Sequence, residues 1–100
     1  MKFLPFGIFK VVGTSMSPLY TPGMRILVWR WFRLLKPGDV VVLSDPRDGR
    51  RIVKRVEKIL DGDLEEKYHV LGDNKNESTD SRVFGPVSKE SILGKVVWHG

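Results

Sequence analysis

Six short runs of β-branched and aromatic residues, each closed off by turn formers, restrict this chain more than anything else in it. The runs are IFKVV (8–12), RILVW (25–29), DVVVLS (39–44), RIVKRVEKI (51–59), YHVLG (68–72) and GKVVW (94–98). Such side chains fit a pleated, half-buried surface. Between the runs lie Thr21-Pro22-Gly23, Lys36-Pro37-Gly38-Asp39, Asp45-Pro46-Arg47-Asp48-Gly49 and Asp61-Gly62-Asp63. Those are turn sequences, because glycine, proline and aspartate supply the dihedrals and local hydrogen bonds that turns need. Short strands with regular punctuation predict an all-β fold, a small barrel or sandwich. A chain of 100 residues makes one domain, spanning 1–100, near the lower end of what buries its own core. The only helical turn expected is SKES (88–91), and no internal repeat or low-complexity segment is present.

Composition excludes several chemistries. With no cysteine, the chain has no disulfide, no thiolate nucleophile and no cysteine zinc site. Two histidines, His69 and His99, are too few for a histidine metal cluster, and neither metal nor cofactor is expected. The net charge of +5 is uneven: residues 1–58 hold 12 Lys/Arg against 4 Asp/Glu, residues 59–100 hold 5 against 8. A basic first half suits an anionic partner or is an ordinary solvated surface. No apolar run reaches the roughly 20 residues of a membrane helix. The start, MKFLPFGIF, is interrupted by Pro5 and Gly7 and lacks a cleavage-site pattern. These features lead to the expectation of a soluble or peripheral, cytoplasmic protein.

Two stretches resist a purely structural reading. VVGTSMSPLYTPG (11–23) ends a strand in a small-residue turn with three hydroxyls, Thr14, Ser15 and Ser17. A serine there is ordinarily a turn residue, yet backbone N–H groups of a tight turn can also hold an oxyanion. GDNKNESTDSRVFGP (72–86) is long and polar, and loops of that size in small domains are functional or disordered. Within it, Asp80 and Arg82 supply a charge pair able to order the loop. A serine nucleophile needs a base. Lys54 stands out because strand alternation puts it on one face with Ile52, Val56 and Lys58. An amine on an apolar face loses proton affinity; the alternative is a lysine that reaches out to water.

Taken in order, SMSP (15–18), KRV (54–56), GDN (72–74) and STDSR (78–82) resemble the signal peptidase I superfamily of serine–lysine endopeptidases, over nearly the whole chain from Val11 to Trp98. The resemblance implies an all-β catalytic core and a set of roles. Ser15 corresponds to the acyl-forming nucleophile and Lys54 to its general base. Met16 packs under the site. Ser78 orients the lysine, and Asp80 with Arg82 forms the supporting ion pair. The backbone from Gly13 through Thr14 to Ser15 is implied as the oxyanion donor. There are departures. Gly13 stands where bacterial leader peptidases carry a serine, Pro18-Leu19-Tyr20 replaces Pro-Thr-Leu, and Gly23-Met24 replaces Gly-Asp.

VLGDN, STDSRVFGPV and ILGKVVW look most like the nickel-type superoxide dismutase maturation proteases, which implies removal of an N-terminal leader or propeptide from that precursor. Processing of exported proteins, as by signal peptidase I or the mitochondrial inner-membrane peptidases, is the alternative within the superfamily. The expected partner is thus a precursor protein or leader peptide. From another class, Trp29, Trp31 and Phe32 beside Arg25, Arg30 and Arg33 fit a binding module for nucleic acid or a membrane surface. Nucleic acid is disfavoured because it leaves the ordered serine, lysine and Ser-x-Asp-Ser-Arg pattern unexplained.

Overall fold

The computed structural model describes residues 5–100, so the first four residues of the apolar start lie outside the described residues. Among the described residues seven strands form: β1 (Phe6–Lys10), β2 (Arg25–Trp29), β3 (Val40–Ser44), β4 (Arg51–Asp61), β5 (Glu66–Leu71), β6 (Val87–Ser88) and β7 (Ile92–His99). All pair antiparallel in one open sheet ordered β1-β2-β7-β3-β4-β5-β6. The all-β expectation holds, and each of the six predicted runs contributes a strand. The first run ends two residues early, since Val11 instead bonds the 21–24 turn: its N–H donates to the Met24 carbonyl and its carbonyl accepts from Gly23. Strand β6 has two residues, too few for any alternation to show in the sequence.

The central strand explains the core. Val41 and Leu43 join one buried cluster with Leu35, Val56, Tyr68, Val70, Val87 and Ile92. Val40 and Val42 join another with Val11, Met16, Tyr20, Ile26 and Val28. Successive side chains on a strand point to opposite faces, so β3 serves both clusters. Its sequence VVVLS is consequently apolar throughout instead of alternating.

In β4, Lys54 lies opposite Val41 of β3, and Ile52 lies opposite Leu43. Ile52 and Val56 pack in the first cluster, which puts Lys54 on that apolar face as the alternation predicts. Lys58 does not follow. A bulge between Val56 and Lys58 places Lys58 opposite His69, and its side chain is exposed. The extra residue, Glu57, shifts the alternation by one, which the sequence pattern alone does not reveal.

The polar stretch 72–86 is ordered by short elements: a 3-10 turn at Lys75–Glu77 and a four-residue helix, α1 (Ser81–Phe84). Asp80 caps α1 by accepting from the Arg82 N–H, a typical role for aspartate at a helix start. Ser81 Oγ accepts from the Val70 N–H at 2.9 Å, pinning the helix to β5. The expected turn at 88–91 is a 3-10 turn at Lys89–Ser91.

Candidate active site

The site begins with an amine in the core. Lys54 is 3% exposed, and its Nζ donates to Ser78 Oγ at 3.1 Å. Burial lowers its proton affinity from the ordinary lysine value. Asp80 and Asp45 act the other way, and Arg47 and Arg82 add to the lowering. Both carboxylates carry an arginine, so neither faces the amine as a bare anion.

Ser78 passes the contact on, its hydroxyl donating to Asp80 Oδ2 at 2.8 Å. Asp80 has no exposed surface and is surrounded by donors. The Gly72 N–H lies 2.9 Å from Oδ2, and Arg82 Nε lies 2.9 Å from Oδ1. Burial alone would push the carboxyl upward. Arg82, the Gly72 N–H and the Ser78 hydroxyl outweigh it and hold Asp80 well below the usual carboxylate range. Arg82 also donates to the Lys75 carbonyl at 2.9 Å, closing the loop on itself.

The Gly72-Asp73-Asn74 turn joins this network to the serine turn. The Asn74 N–H donates to the Ser15 carbonyl at 2.7 Å, and Asn74 Nδ2 donates to the Thr14 carbonyl at 3.0 Å. The Asp73 N–H approaches Met16 Sδ at 3.3 Å, and Met16, 2% exposed, lies beneath the turn in the second cluster. Asp73 in turn takes two hydrogen bonds from Arg55, each 2.9 Å, while Arg55 also reaches the Gly38 carbonyl. At Gly72 a Cβ would collide with Ser78 Oγ and stand 2.7 Å from the Ser15 carbonyl. The turn and the lysine's partner therefore meet at one glycine. Gly72, Asp73, Asn74 and Arg55 were not assigned roles from the sequence, although GDN and KRV had marked their positions.

Of the three hydroxyls in the turn, Ser15 alone lines a groove of about 120 Å³. The groove runs between Phe9–Gly13 and Arg51–Val53, with Met16 and Val42 in its lining. Along this wall Arg51–Lys54 pair with β3 on one side only, because the β5 ladder starts at Arg55. Both the Ser15 and Thr14 carbonyls are tied back by Asn74, whereas the Ser15 N–H has no hydrogen bond among the described residues. Among the described residues, Ser15 Oγ and Lys54 Nζ are not hydrogen-bonded; Ser78 is the amine's partner. Gly13 is exposed, with φ +84° and open space around a would-be Cβ. Its left-handed backbone suits glycine, and a serine there would carry about 1–3 kcal/mol of strain.

The family model described as "Signal peptidase, peptidase S26" matches residues 1–59 and 64–99. This chain belongs to that family. Relatives similar to it include the mitochondrial inner membrane protease subunit 2 of Schizosaccharomyces pombe, 33% identical over 108 residues that cover 87% of this chain and 60% of the relative. The Saccharomyces cerevisiae protein of the same name is 29% identical over 119 residues, covering 91% of this chain and 67% of the relative. Signal peptidase I U of Bacillus subtilis is 29% identical over 132 residues, covering 86% and 71%. The chain thus spans about 60% of the length of the fission-yeast S26 relative.

Elsewhere, the apolar surface residues fall differently from the sequence expectation. Trp31 is 61% exposed, and Trp29 lies half-buried between Phe6 and Trp31, with ring centroids 4.8 and 6.1 Å away. Phe32 leaves this set: it packs against the first core cluster beneath Lys89. Trp98, Phe6 and Ile8 take its place, the last 72% exposed. Register explains the grouping, since Phe6 faces Trp29, Ile8 faces Leu27, and Leu27 faces Trp98 across adjacent strands.

Proposed function

We propose that this chain is a serine endopeptidase working through a Ser15/Lys54 dyad to remove an N-terminal leader from a precursor protein. One observation carries the reading: a buried amine, held by Ser78, lies on the network that Gly72 and Asn74 join to the Ser15 turn. A buried lysine is neutral more readily than an exposed one, which is the state a base must start from.

In this mechanism Lys54 accepts the Ser15 proton as Oγ attacks the scissile carbonyl. The Ser15 N–H, which has no hydrogen bond among the described residues, donates to the developing oxyanion with the Gly13–Thr14 backbone beside it. The lysine then gives its proton to the leaving amine, and the acyl group remains on Ser15. Water, deprotonated by the same lysine, releases the acid and restores the serine. Ser78 keeps the amine in place, and Asp80 with Arg82 keeps Ser78 in place. The one-sided edge of Arg51–Lys54 offers backbone hydrogen bonds to an extended substrate, a form of β-augmentation. The apolar groove lining receives a small side chain beside the cut.

The relatives named above favour leader processing of the inner-membrane and signal-peptidase kind over maturation of nickel superoxide dismutase, which none of their names mentions. The apolar face around Trp31 and Trp98, with exposed Lys10 and Arg25, supports work at an anionic membrane surface. Among the described residues, no helix is long and apolar enough to cross a membrane.

The test is cleavage of purified precursors, one exported protein and one nickel superoxide dismutase precursor, with mass mapping of the new amino terminus. Ser15→Ala and Lys54→Met are each expected to lower kcat/KM by at least about 10³-fold, the scale seen when a catalytic nucleophile or its base is removed. Undiminished cleavage by Ser15→Ala would end the dyad assignment. Cleavage of the nickel superoxide dismutase precursor alone would restore the maturation reading.

A further inference from the structure

Among the described residues, four polar or charged ones are buried: Lys54, Asp80, Ser81 and Asp45. The first three already have work, in the dyad, the support network and the α1–β5 contact. Asp45 does not. It follows β3, continuing the alternation of Val41 and Leu43, and so lies on the face that carries Ile52 and Lys54. Its backbone N–H still pairs with the Arg50 carbonyl at 2.7 Å, so the hairpin geometry extends to this residue.

A buried carboxylate needs a partner, and Asp45 has a close one. Arg47 Nη2 meets Oδ2 at 2.6 Å, and both Arg47 Nε and its backbone N–H reach Oδ1, at 3.0 and 2.8 Å. Arg47 then lies over the Phe84 ring, 5.8 Å from its centroid. Phe84 ends α1, which follows directly on Asp80. The β3–β4 turn thus touches the loop that supports Lys54, through a pair chemically matched to Asp80–Arg82.

We propose that Asp45–Arg47 is a second positioning pair for Lys54, docking the β3–β4 turn on the support loop from the same face of the sheet as the amine. This rests on the dyad reading for its relevance to cleavage. The charged groups acting on the amine are Asp45 and Arg47 from the turn, and Asp80 and Arg82 from the loop. Of its neighbours on β4, Arg55 is occupied by Asp73, and Arg51 lies over Phe9. The two members of the new pair act with opposite sign. Asp45 favours the ammonium and Arg47 opposes it, so their balance leaves burial in control.

Replacing each member separately therefore gives opposite results. With Asp45→Asn the ammonium loses a favourable anion, and the rising limb of the kcat/KM–pH profile moves to lower pH. With Arg47→Gln a buried anion is left unpaired near the amine, and the limb moves to higher pH. On that limb the rates should change by about three- to tenfold in opposite directions, the size of one partly screened charge interaction. Residues that only support the fold would lower rates without moving the limb. Thermal unfolding identifies an Asp45→Asn protein that fails to fold; the half-exposed Arg47 then decides alone. Shifts in the same direction, or no shift in a folded Arg47→Gln protein, overturn the proposal.

A direct readout separates this from the peptidase reading. The Lys54 amine is titrated by NMR in protein carrying ¹³C-labelled lysine, its resonance identified by its loss in Lys54→Met. Opposite movement of the titration midpoint in the two variants is expected even if no precursor is cleaved. A midpoint unmoved in both removes the proposal while leaving the dyad intact.

Discussion

At the scale of single residues, Lys54 concentrates the cost and the use of this site. The folded protein lowers the amine's proton affinity, chiefly by burial, whereas the unfolded chain keeps the ordinary value near 10.4. Between the folded and unfolded values the unfolded state binds more protons, so stability rises with pH across that window. Below it the penalty is fully present. Lys54→Met should therefore unfold at higher denaturant concentration than wild type at neutral pH, by about 1–2 kcal/mol. That advantage should shrink as the pH approaches the ordinary lysine value, which denaturant titrations at several pH values will show. Asp80 gives the same slope in an acid window, but as a gain and not a penalty: its contribution is complete above the ordinary carboxylate range and is lost as the pH falls through its depressed folded value. Lys54 was legible in the sequence because a charged residue broke an apolar alternation. Asp45 was not, since Asp45-Pro46-Arg47-Asp48-Gly49 reads as a turn, and only the fold buries its first residue.

At the scale of elements, the site depends on how a turn meets a strand. Gly72 follows β5 and has no room for a side chain, because Ser78 Oγ and the Ser15 carbonyl occupy the space. Gly72→Ala should cost about 1–3 kcal/mol, as overpacking does, and cleavage should fall more than stability accounts for, by at least about tenfold. Thermal melts alongside kcat/KM measure both; a variant that melts earlier yet cleaves normally would show that Ser78 can move without consequence. The six strands were readable from β-branched runs and their turns. What escaped was local: a single inserted residue at Glu57 that turned Lys58 outward, a two-residue strand, and a four-residue helix. None of these is long enough to establish a period, and each is stabilised by contacts distant in the chain, as Ser81 with Val70 illustrates.

At the scale of the whole molecule, the outer face of β1, β2 and β7 stands apart, with Phe6, Ile8 and Trp98 exposed on it and Trp31 exposed just past β2. Exposed aromatic residues beside basic ones suit a headgroup layer. The protein is expected to co-sediment with vesicles containing anionic lipid, less so as salt rises. The Trp31→Ala, Trp98→Ala double variant should bind about tenfold more weakly while melting as wild type does. Equal binding to neutral and anionic vesicles would remove the electrostatic part of that reading. The sequence had marked an aromatic and basic stretch but could not distribute its side chains between core and surface, as Phe32 and Trp98 show. The central strand has a broader consequence. With Val41 and Leu43 in one apolar cluster and Val40 and Val42 in the other, neither cluster can come apart while the other keeps its shape. The wall bearing Lys54 and the turn bearing Ser15 therefore share one cooperative transition: the two halves of the proposed dyad are expected to be assembled, and lost, in a single event.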